Sequence, residues 1–127
     1  MSTLTSLSLK EAIEVAKKDG VQPILKAFSE RAARLNPKIN AFLRFNGNHK
    51  IGDTHFSFKN ECPRSCVSLH GIPVSIKDNI CIEGREVTCA SKILEKHVPP
   101  YDATVITKLK EAGATIFSQC NMDEFAF

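Results

Sequence analysis

Hydrophobic positions in this chain first repeat with a helical period and then alternate. Leu9, Ala12, Ile13 and Ala16 fall on one face of a helix. Ser8-Leu9-Lys10-Glu11 opens that helix as a capping box, in which the hydroxyl accepts from a free backbone N–H and Glu11 reaches back. Lys17 and Lys18 suit its negative C-terminal end, and Gly20 suits the position just past it. A second helix starts at Pro23, where a missing N–H costs nothing. Leu25, Phe28, Ala32 and Leu35 form its apolar stripe, and Asn36-Pro37 stops it. Two short amphipathic helices in tandem cannot bury both stripes alone, so they pack on something else.

Alternation begins at Ile39. Ile39, Ala41, Leu43 and Phe45 stand against Asn40, Phe42 and Arg44, which predicts a strand over 39–45. Residues 46–68 are rich in Asn, His and Lys, with Gly47, Gly52 and Pro63, and show no period. They read as a polar loop insert, long for a compact domain. Within 69–80, Ile72, Val74 and Ile76 alternate with Pro73, Ser75 and Lys77, a strand whose Pro sits near its start. Asp102 is placed to cap a helix running to Ala112, with Val105, Ile106 and Leu109 inward and Gly113 ending it. Thr115 to Ser118 reads as a short strand. Strand, crossover helix and strand predict a parallel pair, so the fold class is α/β.

Composition narrows the setting. The chain has 127 residues, 43% hydrophobic and 24% charged, values of a globular rather than a disordered protein. Its net charge of +3 is too small and too scattered to mark a nucleic-acid surface. No apolar stretch approaches the roughly 20 residues that span a bilayer. Residues 1–9 carry no early basic residue, and Glu11 and Glu14 follow at once, unlike a secretory signal or transit peptide. The expectation is a cytoplasmic protein without a membrane role, with an organelle as the alternative. The five cysteines are Cys62, Cys66, Cys81, Cys89 and Cys120, an odd number, expected to be reduced. Cys62, Cys66 and His70 are spaced four apart, but the paired-ligand spacing of zinc sites is absent, and ordinary thiols are the plainer reading. No metal site is expected.

The run Leu69-His70-Gly71-Ile72-Pro73-Val74-Ser75-Ile76-Lys77-Asp78-Asn79-Ile80 resembles the lysine segment of the amidase signature family. Thr88-Cys89-Ala90-Ser91-Lys92-Ile93-Leu94 and Pro99-Pro100-Tyr101-Asp102-Ala103-Thr104-Val105 resemble later segments of the tRNA-amidotransferase branch. Asn121-Met122-Asp123-Glu124-Phe125-Ala126 is similar to the stretch before the family's Gly/Ser-rich signature, and Asp123 leans toward the same branch. Leu35-Asn36-Pro37-Lys38-Ile39-Asn40-Ala41-Phe42 fits the family's opening. Departures are the polar stretch 46–68 where the family has a helix, Ser118-Gln119-Cys120 where it prefers Gly-Lys before the Asn, and Phe127 in place of Met. The resemblance therefore implies a partial amidase domain over 1–127: a mixed sheet flanked by helices, opening with two amphipathic helices.

In that family a Ser–cis-Ser–Lys triad cleaves a carboxamide, and Lys77 is the position matching its lysine. Lysine acts as a base only when neutral, a state that desolvation favours. It then takes a proton from the nucleophilic serine through a second hydroxyl, ammonia leaves, and an acyl-enzyme remains. For the tRNA branch the amide is glutamine. The ammonia passes to a partner and converts Glu-tRNA(Gln) to Gln-tRNA(Gln), with the amidotransferase B and C subunits as partners. No cofactor is expected in this chain, and ATP and magnesium are expected at the partner. Both serines belong beyond Phe127, so this chain by itself is expected to be inactive and, with an open sheet edge, unstable. Ser75 shares the strand face of Lys77 but reads as a small residue packed against a helix. Asp78 and Asn79 read as turn formers, and Asp123 and Glu124 as residues that order a loop. Cys89 and Cys120 lack the context of a cysteine nucleophile. Two other readings stay open: a fragment of an amidase acting on small or lipid amides, and a non-catalytic gene remnant.

Overall fold

The computed structural model describes residues 3–45 and 68–127. The predicted polar loop, apart from Ser68, and the pair Cys62 and Cys66 lie outside the described residues. Helix α1 spans Leu9–Asp19 and carries the expected capping box. The Glu11 N–H donates to Ser8 Oγ at 3.4 Å, and the Ser8 N–H donates to the Glu11 carboxylate at 2.8 Å. The Ser8 hydroxyl and N–H together hold that carboxyl below its usual range. Gly20 closes the helix with a φ of 80°, where a side chain would be strained. Ala12 and Ala16 are buried with Ile13 beside them, whereas Leu9 is exposed, at the unpacked first turn.

Helix α2 spans Gln22–Ile39 and passes through Pro37 rather than stopping before it. Proline removes one N–H and crowds one carbonyl, which matters little so close to a helix end. Asn36 ties the helix end to the chain just beyond it: its amide donates to the Phe42 carbonyl at 2.9 Å and accepts from the Phe42 N–H at 2.8 Å. The helix ends at Asn40, whose left-handed conformation turns the chain. Its buried line is Ile24, Ala27 and Ala32, with Phe28 partly covered, so Ile24 takes the place expected of Leu25.

Strand β1 is Phe42–Phe45, β2 is Pro73–Lys77 and β3 is Thr115–Cys120. Among the described residues they form one mixed sheet in the order β1-β3-β2. β2 runs parallel to β3, as the strand–helix–strand spacing predicts, and β1 runs antiparallel to it. β1 is shorter than the alternation suggested, because Ile39 belongs to α2. Its faces also differ. Phe42 pairs with Cys120 but Arg44 pairs with Gln119, so the register slips by one at Leu43. A one-residue slip moves side chains to the opposite face. Phe42 accordingly meets Phe117 edge-to-face at 6.2 Å, while Arg44 reaches the other side of the sheet. A second slip falls at Phe117, since Val74 pairs with Ile116 and Ser75 with Ser118.

The sheet is covered on both faces. Ala12, Ala16, Ile24 and Ile72 form one apolar cluster with Phe28 against it, and Phe28 meets Phe117 at 6.4 Å. Ile76, Ile82, Ile106 and Ile116 form the other, flanked by Val74, Ile80 and Leu109. Gly71 packs closely beside the first cluster: a Cβ there would lie 3.1 Å from Val21 Cγ1, and its φ of 82° disfavours any side chain.

Helix α3 spans Thr104–Glu111 and begins after Ala103, so Asp102 is not its cap. Asp102 instead accepts from the Glu83 N–H at 2.9 Å and pairs with Lys110, tying the turn after β2 to the last turn of α3. The N–H of Ala103 donates to the Cys81 carbonyl at 2.9 Å beside this clamp. Within α3, Ile106 is 0% exposed and Val105, expected inward, is 46% exposed. Truncating Ile106 to Ala should therefore cost about 2–5 kcal/mol, against under about 0.5 kcal/mol for Val105→Ala, read from denaturant midpoints.

Burial alone would raise the Asp102 carboxyl. The hydrogen bonds from Lys110 and Glu83 and the charges of Lys110 and Arg85 outweigh it and hold the group below its ordinary value of 3.8. A lowered folded value means that the carboxylate's stabilisation is complete above 3.8 and is lost as pH falls through the folded value. Lys110→Met should thus destabilise the protein near neutral pH, and the gap between the two unfolding midpoints should shrink once the pH is taken below that range.

Candidate active site

β2 and β3 run parallel and end together, with Lys77 opposite Cys120. Ligands of open α/β sheets sit at the carboxyl ends of the strands. Lys77, the candidate base, emerges there and is exposed. Two residues earlier on the same face, Ser75 accepts a hydrogen bond from the hydroxyl of buried Ser118 at 2.7 Å. Ser75 itself is exposed rather than packed against a helix, and the slip at Phe117 places the Ser118 hydroxyl alongside it.

The next side chain points the other way. Asp78 is 0% exposed, and burying an unpaired carboxylate is expensive. Its surroundings supply the partners. Asp78 Oδ2 accepts from the Thr88 N–H at 3.1 Å and from the Thr88 hydroxyl at 2.5 Å. Asp78 Oδ1 accepts from Gln119 Nε2 at 3.3 Å and lies 3.8 Å from Arg44 Nη1. Arg44 also donates to the Glu86 carbonyl at 3.2 Å and pairs with the Glu86 carboxylate. Gln119, 1% exposed, gives its second N–H to the same carbonyl at 2.8 Å. Asp78 does form the turn expected of it, with the Ile80 N–H donating to the Lys77 carbonyl at 3.1 Å. Its larger part, as the shared acceptor of β1, β3 and the segment around Thr88, has no signature in local sequence. The one available signal was Gln119, a polar residue at an inward position of an apolar strand.

Beyond Thr88 the backbone is strained and held. Cys89 and Ala90 have φ of 51° and 55°, left-handed values that cost a non-glycine residue roughly 1–2 kcal/mol. Several bonds fix them. The Cys89 N–H donates to the Asp78 carbonyl at 3.1 Å, and the Cys89 carbonyl accepts from the Phe125 N–H at 2.9 Å. The Ser91 hydroxyl donates to Glu124 at 2.7 Å. Glu124 thus orders this loop, the role expected for the pair Asp123 and Glu124. Asp123 contributes its carbonyl, which accepts from the Ala126 N–H at 3.0 Å.

Neither the cysteines nor the acids of the described residues suggest other chemistry. No group of three His, Cys, Asp or Glu side chains among them is placed to hold a metal ion. Nor is any helix among them long and apolar enough to cross a membrane. Burial pushes the Cys89 thiol up, and the nearby Asp78 and Cys81 push it further. An activated nucleophile needs the opposite shift.

Fold and site together define an α/β protein in which a lysine closes a parallel strand and a buried carboxylate pins the loop beyond it. The chain belongs to the amidase family, whose model matches residues 23–127. It is 43% identical over 113 residues, 88% of its length, to the glutamyl-tRNA(Gln) amidotransferase A subunit of Heliobacterium modesticaldum. It is 41% identical over 125 residues, 97% of its length, to that of Desulfatibacillum aliphaticivorans. Among solved structures, the glutamyl-tRNA(Gln) amidotransferase A subunit of Thermotoga maritima superposes with a TM-score of 0.73 at 30% identity, over 98% of this chain and 25% of that one. The chain spans about a quarter of the length of the curated relatives it matches, 23% and 26% for the two above.

The raised Cys89 thiol has a direct readout. Near pH 8, iodoacetamide should label Cys89 several-fold more slowly in the folded protein than in denaturant, measured peptide by peptide by mass spectrometry.

Proposed function

We propose that this chain is the N-terminal portion of the glutamine-hydrolysing component of a tRNA-dependent amidotransferase, and that Lys77 is its catalytic base. The observation that carries the reading is the identity of about 40% to amidotransferase A subunits over nearly the whole chain. The exposure of Lys77 at the joint carboxyl ends of β2 and β3 supports it.

In this reading Lys77 needs three things from outside the described residues. They are a serine nucleophile, a second serine to relay its proton, and a cover that excludes water so that the amine is neutral. We place both serines in chain following Phe127. The lysine accepts the relayed proton as the nucleophile attacks the glutamine carboxamide, ammonia departs, and water later releases the acyl group. The ammonia serves the B and C subunits in converting Glu-tRNA(Gln) to Gln-tRNA(Gln), with ATP and magnesium at the partner. A base without its nucleophile does little, so the 127-residue chain alone is inactive.

Ammonia release from glutamine tests this. The isolated chain should show none above buffer. A protein extended through the serine segment should turn glutamine over, and Lys77→Ala should lower that rate by roughly 10⁴-fold or more. Lys77-dependent turnover by the short chain contradicts the placement of the serines. Unchanged turnover of the extended Lys77→Ala protein removes Lys77 from the mechanism.

A further inference from the structure

We infer that Asp78 is the positioning residue for Lys77, its buried carboxylate fixing the strand end from which the lysine projects. The inference rests on the reading of Lys77 as the base. The Lys77 side chain is exposed, so the place of its amine depends on how firmly the backbone beneath it is held. That backbone is held through Asp78. The Asp78 N–H donates to the Cys120 carbonyl at 3.2 Å, and its carbonyl accepts from Cys89. Its carboxylate collects Thr88 and Gln119 within hydrogen-bond distance, and Arg44 at 3.8 Å. These partners come from the segment after β2, from β3 and from β1, so the carboxylate converges on one point immediately behind the lysine.

Adjacent residues of a strand end face opposite ways. Asp78 therefore never meets a substrate on the Lys77 side, and it acts only through the geometry it imposes. A requirement for stability alone would not call for a charge here, since buried ionic groups are often replaceable by apolar ones without loss. What an apolar residue cannot do is hold Thr88, Gln119 and Arg44 to a fixed point. Thr88 makes the shortest of these contacts, and its hydroxyl can be removed while its backbone donor stays.

The test uses the full-length protein in glutamine hydrolysis, with Thr88→Val, Thr88→Ser, Asp78→Asn and Lys77→Ala compared at matched melting temperature. Thr88→Val deletes the hydroxyl at nearly constant volume. It should lower kcat roughly 10- to 100-fold, the loss that follows a small misplacement of a reacting group, with KM unchanged. Thr88→Ser restores the donor and should recover most of the rate. Asp78→Asn, which turns an N–H toward the donors of Gln119 and Arg44, should lose at least as much as Thr88→Val. Folded Thr88→Val and Asp78→Asn proteins with the parental kcat overturn the inference. So does a Thr88→Ser protein as slow as Thr88→Val, or a loss confined to KM. If Lys77→Ala abolishes turnover in that case, the base assignment stands and only the role of Asp78 falls. If Lys77→Ala leaves turnover intact, the base assignment falls and takes this inference with it.

Discussion

A carboxylate removed from water must be surrounded by donors, and the burial of Asp78 organises much of this structure around that requirement. Its partners come from distant parts of the chain: Arg44 from β1, Thr88 from the segment after β2, and Gln119 from β3. Each had to be delivered to one side of the sheet. Ordinary alternation would have put Arg44 on the same face as Phe42, which packs against Phe117. The slip at Leu43 separates them, giving the aromatic ring to one face and the guanidinium to the other. The slip at Phe117 leaves its ring between Phe28 and Phe42 while Gln119 turns to Asp78. With both irregularities, the same two strands serve an apolar face and a polar anchor.

The same anchor links the candidate base to the rest of the site region. Thr88 binds Asp78, Cys89 and Ala90 adopt left-handed conformations immediately after it, and the Cys89 carbonyl and Ser91 hydroxyl hold the segment carrying Glu124 and Phe125. Strain of this kind persists only where surrounding bonds over-determine it, and here bonds from two directions do so. The result is a connected path from the end of β2 to residues 124–125. The apolar clusters on either side of the sheet give that path a rigid floor.

The amidase family relationship gives this geometry its setting. The chain corresponds to about a quarter of the relatives it matches. Within that quarter lie a lysine at the end of a parallel strand and the framework that holds it. Lysine burial, the acyl chemistry and the handling of ammonia all belong to the larger protein in the reading we propose.

Local sequence determined the pieces whose physics is local. The Ser8–Glu11 capping box, the glycine stop at Gly20 and the parallel pairing implied by strand, helix and strand follow from hydrogen-bonding capacity, backbone freedom and periodicity over a few residues. The resemblance around Lys77 and Asn121–Ala126 was equally legible, because it resides in contiguous residues. Only the tertiary structure decided the features that depend on residues far apart. The Asn36 side chain ties the end of α2 to the backbone of Phe42, a pairing that exists only because the chain turns back there. Asp102 became a clamp rather than a cap because Glu83 and Lys110 reach it first. Asp78 became an anchor as well as a turn former because β1, β3 and the Thr88 segment converge on it. A polar side chain's role is set by which partners the fold brings within about 3 Å, and periodicity along the chain carries no record of that meeting.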